Sequence, residues 1–224
     1  MKDNTTGSYI LEELRKKYEV TEESIGADAH MNKGPMHFHV RSFEVKDFGH
    51  LCLFDLNGMF GLMKMETVVL QCRTKDVPLI NFDTIIVPGK KTQMAEFYDT
   101  KVSAFMQELN DECMKIKEAD SDLQDYESGE HWYDSILYPC TYAKITKKND
   151  TRTEVSCRKY FDAFLKAAET APACDPAEKV KANKAFAMGL LEHGGPAVDQ
   201  VRKMFGEERT QRLILEYMYG VEES

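Results

Sequence analysis

The chain has 224 residues, of which 42% are hydrophobic and 30% charged, and its formal net charge is −9. The length suits one sizeable core, so we expect a single domain over residues 1–224. The acidic balance disfavours nucleic acid binding, which requires a basic surface. We expect no membrane span, because no apolar run approaches the roughly 18–20 residues that a bilayer requires.

The first half of the sequence predicts a helix followed by a series of strands. Apolar residues at helical spacing predict a helix over residues 8–18, and the polar segment 21–35 reads as a connection. Strand-like segments follow at 37–45, 50–59, 66–73, 78–87 and 93–99. Only short turns separate them, which predicts antiparallel pairing, because parallel strands need long crossovers. The last three should lie adjacent at the centre of the sheet.

The second half is mainly helical. An amphipathic helix is predicted over 102–116, a solvated loop over 118–130, and a further strand over 135–146 with Pro139 at an edge or bulge. Helices should follow over 154–168, from the N-cap Asp175 to the break at 194–196, from there to Gly206, and over 207–219. Six strands and a helical half predict an α+β fold, with helices covering a central antiparallel sheet.

The middle strand of the predicted sheet carries a lone acid, Asp83, in an apolar run. Burying an unpaired carboxylate is costly, and burial raises its pKa, as is common for the proton donor of a pocket. The alternative is that Asp83 lies on a solvated face of the strand. We expect its side chain to face the space between sheet and helices, together with Asn81 and Ile85.

Other motifs are weak. The sequence has no Walker loop, no GxGxxG after a strand and no HExxH. His37 and His39 share one strand face and could ligate a metal, but no third ligand is evident. The six cysteines are widely spaced without a CxxC pair, which argues against a zinc or iron–sulfur site and favours free thiols in a reducing cytoplasm. The residues by themselves therefore define an α+β domain with a candidate acid.

The order of these elements and several segments resemble the ferredoxin-dependent bilin reductases and the related red chlorophyll catabolite reductases. The segment 76–85, DVPLINFDTI, is similar to the family pattern DLPxxGxDxV. A glycine-containing turn, 88–90, and a strand ending near Asp99 follow it, as in the family. Segment 137–139, Leu-Tyr-Pro, stands where the family has an FSP-like segment, and Phe205-Gly206 lies between two helices in the family's register.

The resemblance implies an α/β/α sandwich that holds a linear tetrapyrrole such as biliverdin between sheet and helices. It implies an oxidoreductase without tightly bound metal or flavin, which takes electrons from reduced ferredoxin or flavodoxin. The family's central aspartate falls on Asp83, and a glutamate of some members falls near Asp55. A family histidine falls on Gln71, and a later Asn-Asp pair falls on Gly194-Gly195 and is absent.

Propionates of such a ligand need cations, which adds further candidate binding residues. The candidate cations are Arg41, Lys90, Lys91, Lys144 and Arg158, and each could instead be an ordinary surface charge. The uncharged candidates for ligand binding are Gln71, Asn81 and Tyr138. An acidic electron donor would need a basic patch, and the sequence offers a cluster of Lys144, Lys147, Lys148 and Arg152, with Arg158 and Lys159 close by.

Three functions remain open from the sequence. The first is a ferredoxin-dependent reductase of a linear tetrapyrrole. The second is a non-catalytic tetrapyrrole carrier on the same fold, which Gln71 and Gly194-Gly195 favour slightly because they replace family functional residues. The third is an interaction module without a ligand.

Overall fold

A computed structural model describes residues 5–100, 102–103 and 105–221. The helices are α1 (Thr6–Lys17), α2 (Gln107–Ala119), α3 (Arg152–Thr170), α4 (Pro176–His193), α5 (Pro196–Phe205) and α6 (Glu207–Arg212). The strands are β1 (Val20–Glu22), β2 (His30–Lys33), β3 (Met36–Val45), β4 (Gly49–Gly58), β5 (Met63–Cys72), β6 (Leu79–Val87), β7 (Lys90–Tyr98), β8 (Gln124–Asp125) and β9 (Tyr142–Lys147).

The strands form one antiparallel sheet, in the order β1-β3-β4-β5-β6-β7-β9-β8, with β2 also pairing β3. Strands β5, β6 and β7 are adjacent in its middle, which confirms the prediction from residues 66–99. The short turns account for this arrangement, because each joins neighbouring antiparallel strands. The predicted α+β class with a central antiparallel sheet is confirmed.

Each face of the sheet carries its own apolar core. Helices α1, α2 and α3 pack on one face, around Phe82, Phe97 and Phe161. Helices α4, α5 and the C-terminal helical segment pack on the other, around Phe54, Leu79 and Phe186. We call these the α1–α3 face and the α4–α6 face. No helix in the described parts of the chain is long and apolar enough to cross a membrane.

Several predicted boundaries are wrong. The short strands β2 and β8 and most of β1 lie in the polar segments 21–35 and 118–130. These strands are too short for a periodic pattern to show them in the sequence. The helix predicted from residue 102 begins at Gln107, because the Asp76 carboxylate accepts the backbone N–H groups of Val102 and Ser103 and holds them in a bend. The strand predicted from residue 135 begins only at Tyr142, after a 3₁₀ turn at Asp134–Ile136.

The C-terminal helices follow their sequence signals. Asp175 caps α4, with its side chain accepting the Ala177 N–H at 2.9 Å, and Pro176 occupies the first turn. Helix α4 ends at His193 and is capped by Gly194, whose φ of 69° suits glycine. The last helix starts as α6 and continues as a π-helix over Leu213–Met218.

A buried lysine fastens α4 to the sheet, and its removal should destabilise the fold. Lys179 Nζ donates to the carbonyls of Val77 at 2.6 Å and Thr100 at 2.9 Å, with Asp76 at 3.7 Å. We expect Lys179→Ala to lower the free energy of unfolding by about 3–5 kcal/mol, because a buried charge partner and two carbonyls lose their donor. Urea unfolding measures this, with the exposed Lys181→Ala on the same helix as the control. Equal losses in the two variants would contradict the assignment.

Candidate functional site

Strand β6 presents its polar residues to the α4–α6 face. Phe82 belongs to the core on the α1–α3 face, so strand alternation turns Asn81 and Asp83 to the opposite face. Leu79, two residues before Asn81, lies in the core on that opposite face. The orientation predicted for Asp83 is confirmed, whereas its chemical role stays a prediction.

Two neighbouring side chains hold the Asp83 carboxylate. Thr67, directly opposite on β5, donates a hydrogen bond to Oδ1, and the Asn81 amide donates to Oδ2 at 2.6 Å. Asp83 is partly buried. Burial raises its pKa, although the two hydrogen bonds act in the opposite direction. The carboxyl group is therefore shifted toward its neutral form, as a proton donor requires.

A second acid, Glu96, lies beside Asp83 and was missed in the sequence. Glu96 is directly opposite Asn81 across the β6–β7 pair, and it is partly buried. Burial raises its pKa, the Tyr98 hydroxyl that donates to Oε2 at 2.5 Å lowers it, and the charge of Asp83 raises it further. The sequence could have revealed Glu96, because a two-residue turn at Pro88-Gly89 sets the pairing of β6 with β7 and so places Glu96 opposite Asn81.

Asn81 lies between the two acids with an unfilled hydrogen-bond acceptor. The residue is 7% exposed. Its amide nitrogen is used by Asp83, but its Oδ1 accepts no hydrogen bond from the described part of the chain. A buried unsatisfied polar atom costs about 1–3 kcal/mol. A ligand with N–H groups would remove that cost. We call Asn81, Asp83 and Glu96 the acceptor row.

The sheet around the acceptor row is apolar. Met65 and Ile85 are paired across β5 and β6, and Met94 lies directly opposite Asp83 on β7. All three side chains are partly buried. Methionine side chains adapt their shape to a neighbour, so this surface suits a flat apolar ligand whose polar edge meets the row.

Aromatic side chains border the row on the side of α4. The Tyr98 ring contacts Phe186 with centroids 4.4 Å apart and Tyr133 at 5.4 Å. Trp132, the single tryptophan of the chain, packs directly on α4 because Gly189 has no side chain: a Cβ there would lie 2.3 Å from the indole. Trp132 therefore provides a fluorescent reporter close to the site.

Lys90 is a predicted cation that the strand register places on the Asp83 face. It pairs with Val87 at the β6–β7 turn and is exposed. It lies four residues along β7 from Met94, the residue opposite Asp83, or about 13 Å at the usual rise per strand residue. Lys90 could therefore meet an anionic group at the rim of a ligand that covers the row.

The structure separates Asp55 from Asp83. Asp55 pairs with Glu66, which in turn pairs with Thr84, and this row lies on the α1–α3 face. Asp55, the second acid that the resemblance suggested, therefore does not lie beside Asp83, because strand alternation turns the two side chains to opposite sides of the sheet. Asp55 and Glu66 instead line a separate cavity of about 470 Å³, where Glu66 also accepts the N–H of Gly7 in the first turn of α1.

The predicted histidine pair opens toward that second cavity. His37 is hydrogen-bonded to Asn32 at 2.6 Å, and His39 stacks on His30 with ring centroids 4.4 Å apart. Within the described ranges, no group of three or more histidine, cysteine, aspartate or glutamate residues could hold a metal ion.

Three other predicted binding residues also lie away from Asp83. Arg41 forms an ion pair with Glu22 at 2.9 Å on the α1–α3 face. Arg158, on α3, stacks over the Tyr9 ring at 5.1 Å. Tyr138 is 1% exposed and lies within the core of the α1–α3 face. The structure therefore does not bring these three residues together with Asp83, because the sequence does not reveal which face of the sheet each side chain takes.

Two predicted cations are buried in ion pairs. Lys91 Nζ lies 2.6 Å from Glu154, and Lys144 Nζ lies 2.7 Å from Asp125. Each lysine has at most a few per cent of its surface exposed. Neither can reach a ligand on the Asp83 face or an external partner, so these predictions are wrong.

Gln71 lies on the Asp83 face but serves a structural role. Its amide nitrogen donates to the carbonyl of Tyr219, and its Oε1 accepts from Asn183 on α4. The side chain is fully buried. Gln71 therefore binds the C-terminal segment to the sheet, at the opposite end of β5 from Met65.

Comparison with known proteins supports the fold. No family model and no curated protein matches the chain. Among solved structures, the chain is similar to phytochromobilin synthase from tomato in complex with biliverdin, with a TM-score of 0.77 at 10% sequence identity, covering 95% of this chain and 80% of that one. At this identity the similarity shows the fold. The resemblance to the bilin reductases is confirmed at that level.

The two raised pKa values of the acceptor row predict how stability depends on pH. A group whose folded pKa is raised contributes stability that is present below its unfolded pKa, near 4, and is lost as pH rises through the folded pKa. Asp83 and Glu96 both shift upward. We therefore expect the wild type to lose stability, relative to the Asp83→Asn/Glu96→Gln variant, as pH rises above about 4. Urea midpoints across this range measure the difference. Parallel pH curves would contradict the burial of these acids.

Proposed function

We propose that the protein binds a linear tetrapyrrole of the biliverdin type on the α4–α6 face and reduces it with electrons from ferredoxin or flavodoxin. The observation that carries this proposal is the unfilled Asn81 acceptor beside two partly buried acids, on an apolar part of the sheet. The similarity of fold to a biliverdin-bound protein supports it. Five of the six cysteines are buried free thiols, which suits the reducing cytoplasm that we propose as its location.

The chemistry of the ligand matches the site in three respects. Linear tetrapyrroles are conjugated and largely apolar, so their rings can lie on Met65, Ile85 and Met94. Their pyrrole N–H groups can donate to the acceptor row. A propionate can meet Lys90 at the rim. Asp83, whose pKa is raised by burial, then supplies a proton to the reduced ligand, and the protein itself holds no tightly bound cofactor in this scheme.

Binding can be tested by two independent signals. We expect biliverdin to show a shifted or sharpened absorption band on titration with the protein, and to quench the fluorescence of Trp132, because the ligand would lie close to this single tryptophan. Asp83→Asn should keep most of the affinity, since asparagine preserves the shape of the side chain. No change in either signal at high micromolar ligand would contradict the proposal.

The electron donor is expected to dock at one end of the sheet. Ferredoxins are acidic, and the β2–β3, β4–β5 and β6–β7 turns and the segment after β9 meet at this end. The strand ends at these connections, and the segment after β9, carry the exposed lysines Lys33, Lys64, Lys90, Lys147 and Lys148. The lysine end, defined by these residues, keeps Lys147 and Lys148 of the predicted cluster. It omits Lys144, which is buried, and Arg152, which is paired with Asp122 at 3.0 Å.

Charge reversal at the lysine end should weaken donor docking. We expect Lys147→Glu/Lys148→Glu to raise the KM for ferredoxin at least several-fold with little change in kcat, and this difference should shrink as salt screens the charges. Lys166→Glu on α3, at a lysine side chain 74% exposed, is the matched control. An equal effect of the two charge changes would place the docking surface elsewhere.

A carrier function is the second candidate, and Gln71 favours it. Where the family resemblance places a histidine, this chain has an amide engaged with Asn183 and the Tyr219 carbonyl. An amide donates no proton at ordinary pH. A carrier would give the same spectral change with biliverdin but no reduction when reduced ferredoxin is added without oxygen. Bleaching of the bilin band under those conditions would decide for the reductase.

A further inference from the structure

We infer that Glu96 is a second proton donor of the site, so that Asp83 and Glu96 each deliver one of the two protons of a two-electron reduction. This inference rests on the proposed function and deepens it. The resemblance assigned a second acid near Asp55, which the sheet places on the other face. Glu96 is therefore the candidate for the second acid on the Asp83 face.

The positions of the two acids carry the inference. Met94 is directly opposite Asp83, and Glu96 lies two residues further along β7, which makes the two acids diagonal neighbours with Cα atoms about 7–8 Å apart. Asn81 lies between them, opposite Glu96, with its unfilled Oδ1. A ligand anchored on that atom by an N–H group would have one acid on each side.

The surroundings of Glu96 suit a group that loses and regains a proton. The Tyr98 hydroxyl donates to its carboxyl group at 2.5 Å, so a donor is already in place for the carboxylate that remains after proton transfer. Tyr98 itself is 4% exposed and is packed between Phe186 and Tyr133. Glu96 retains partial solvent exposure, which provides a route for reprotonation.

The reduction takes two electrons from the donor and two protons from the site. Two reduced ferredoxins each give one electron to the tetrapyrrole and become oxidised. The neutral carboxyl groups of Asp83 and Glu96 each give one proton, so that the ligand gains two electrons and two protons and both acids become carboxylates. Two protons from solvent then restore the neutral acids. No further oxidant or reductant is needed.

A merely structural role for Glu96, as an acceptor for the Tyr98 hydroxyl, makes different predictions. Glutamine keeps an acceptor oxygen for Tyr98 but carries no acidic proton. Glu96→Gln would then preserve both fold and turnover. If Glu96 is a proton donor, the same variant keeps the fold and the ligand but loses the second protonation.

The decisive experiment is anaerobic reduction of biliverdin by reduced ferredoxin, followed by visible absorption and electron paramagnetic resonance. We expect Glu96→Gln to bind biliverdin within about threefold of wild type. Its turnover should fall by about 100-fold, as removal of a general acid typically produces, and a ligand radical should accumulate. Glu66→Gln, the same substitution at a partly buried glutamate on the opposite face, should turn over like wild type.

The Tyr98→Phe variant adds a readout that a structural role would not affect. Because the Tyr98 hydrogen bond lowers the pKa of Glu96, its loss should raise that pKa and move the basic limb of the pH–rate profile to higher pH. Wild-type turnover in Glu96→Gln, or equal loss in Glu66→Gln, would overturn the role of Glu96 while leaving the proposed function intact. Absence of biliverdin binding by the wild type would overturn both.

Discussion

The pairing register of strands β5, β6 and β7 is the constraint on which the candidate site depends. The β6–β7 turn has only two residues, Pro88 and Gly89, and Gly89 has a φ of 78°. Proline followed by a glycine with positive φ is the sequence of a type II turn. This turn sets Val87 against Lys90 and, six residues further back on β6, Asn81 against Glu96. A slip of one residue would turn the whole polar set into the opposite core.

The cost of placing acids on a central sheet is offset locally. Asp83 is held by Thr67 and Asn81, and Glu96 by Tyr98. These hydrogen bonds reduce the free-energy cost of burial but do not remove it, as the upward pKa shifts of both acids show. Two acids with raised pKa values lie beside an amide oxygen that accepts no hydrogen bond from the described part of the chain. This arrangement is the basis of the proposal that the ligand offers N–H groups and accepts protons.

The helices on the same face leave this part of the sheet partly open. Gln71, Asn183 and the buried Lys179 fasten α4 and the C-terminal segment to one end of the sheet. Toward the other end, Met65, Ile85 and Met94 remain partly exposed. The fold thus combines a rigid attachment with an accessible apolar surface, and the exposed lysines border that surface at the lysine end.

Much of the sheet could be predicted from the sequence, because short turns and apolar runs are local signals. The strands around Asp83 and the face it takes followed from that pattern, as did the cap at Asp175. The site was predicted less well. Asp55 and Tyr138 were candidates from the family resemblance, and Arg41 and Arg158 were candidates as cations for a propionate. Alternation across neighbouring strands and the packing of separate helices decide which face a side chain occupies. Glu96 was missed for a related reason: its partner Asn81 becomes visible only when the strands are paired through their turn.

The most direct measurement is the position of biliverdin in a crystal structure of its complex with this protein. The account predicts that the tetrapyrrole lies on Met65, Ile85 and Met94, with a ring nitrogen within about 3 Å of Asn81 Oδ1, the usual hydrogen-bond distance. Its two sides should face Asp83 and Glu96. A ligand found in the cavity of Asp55 and Glu66 on the α1–α3 face, with the acceptor row uncovered, would contradict it.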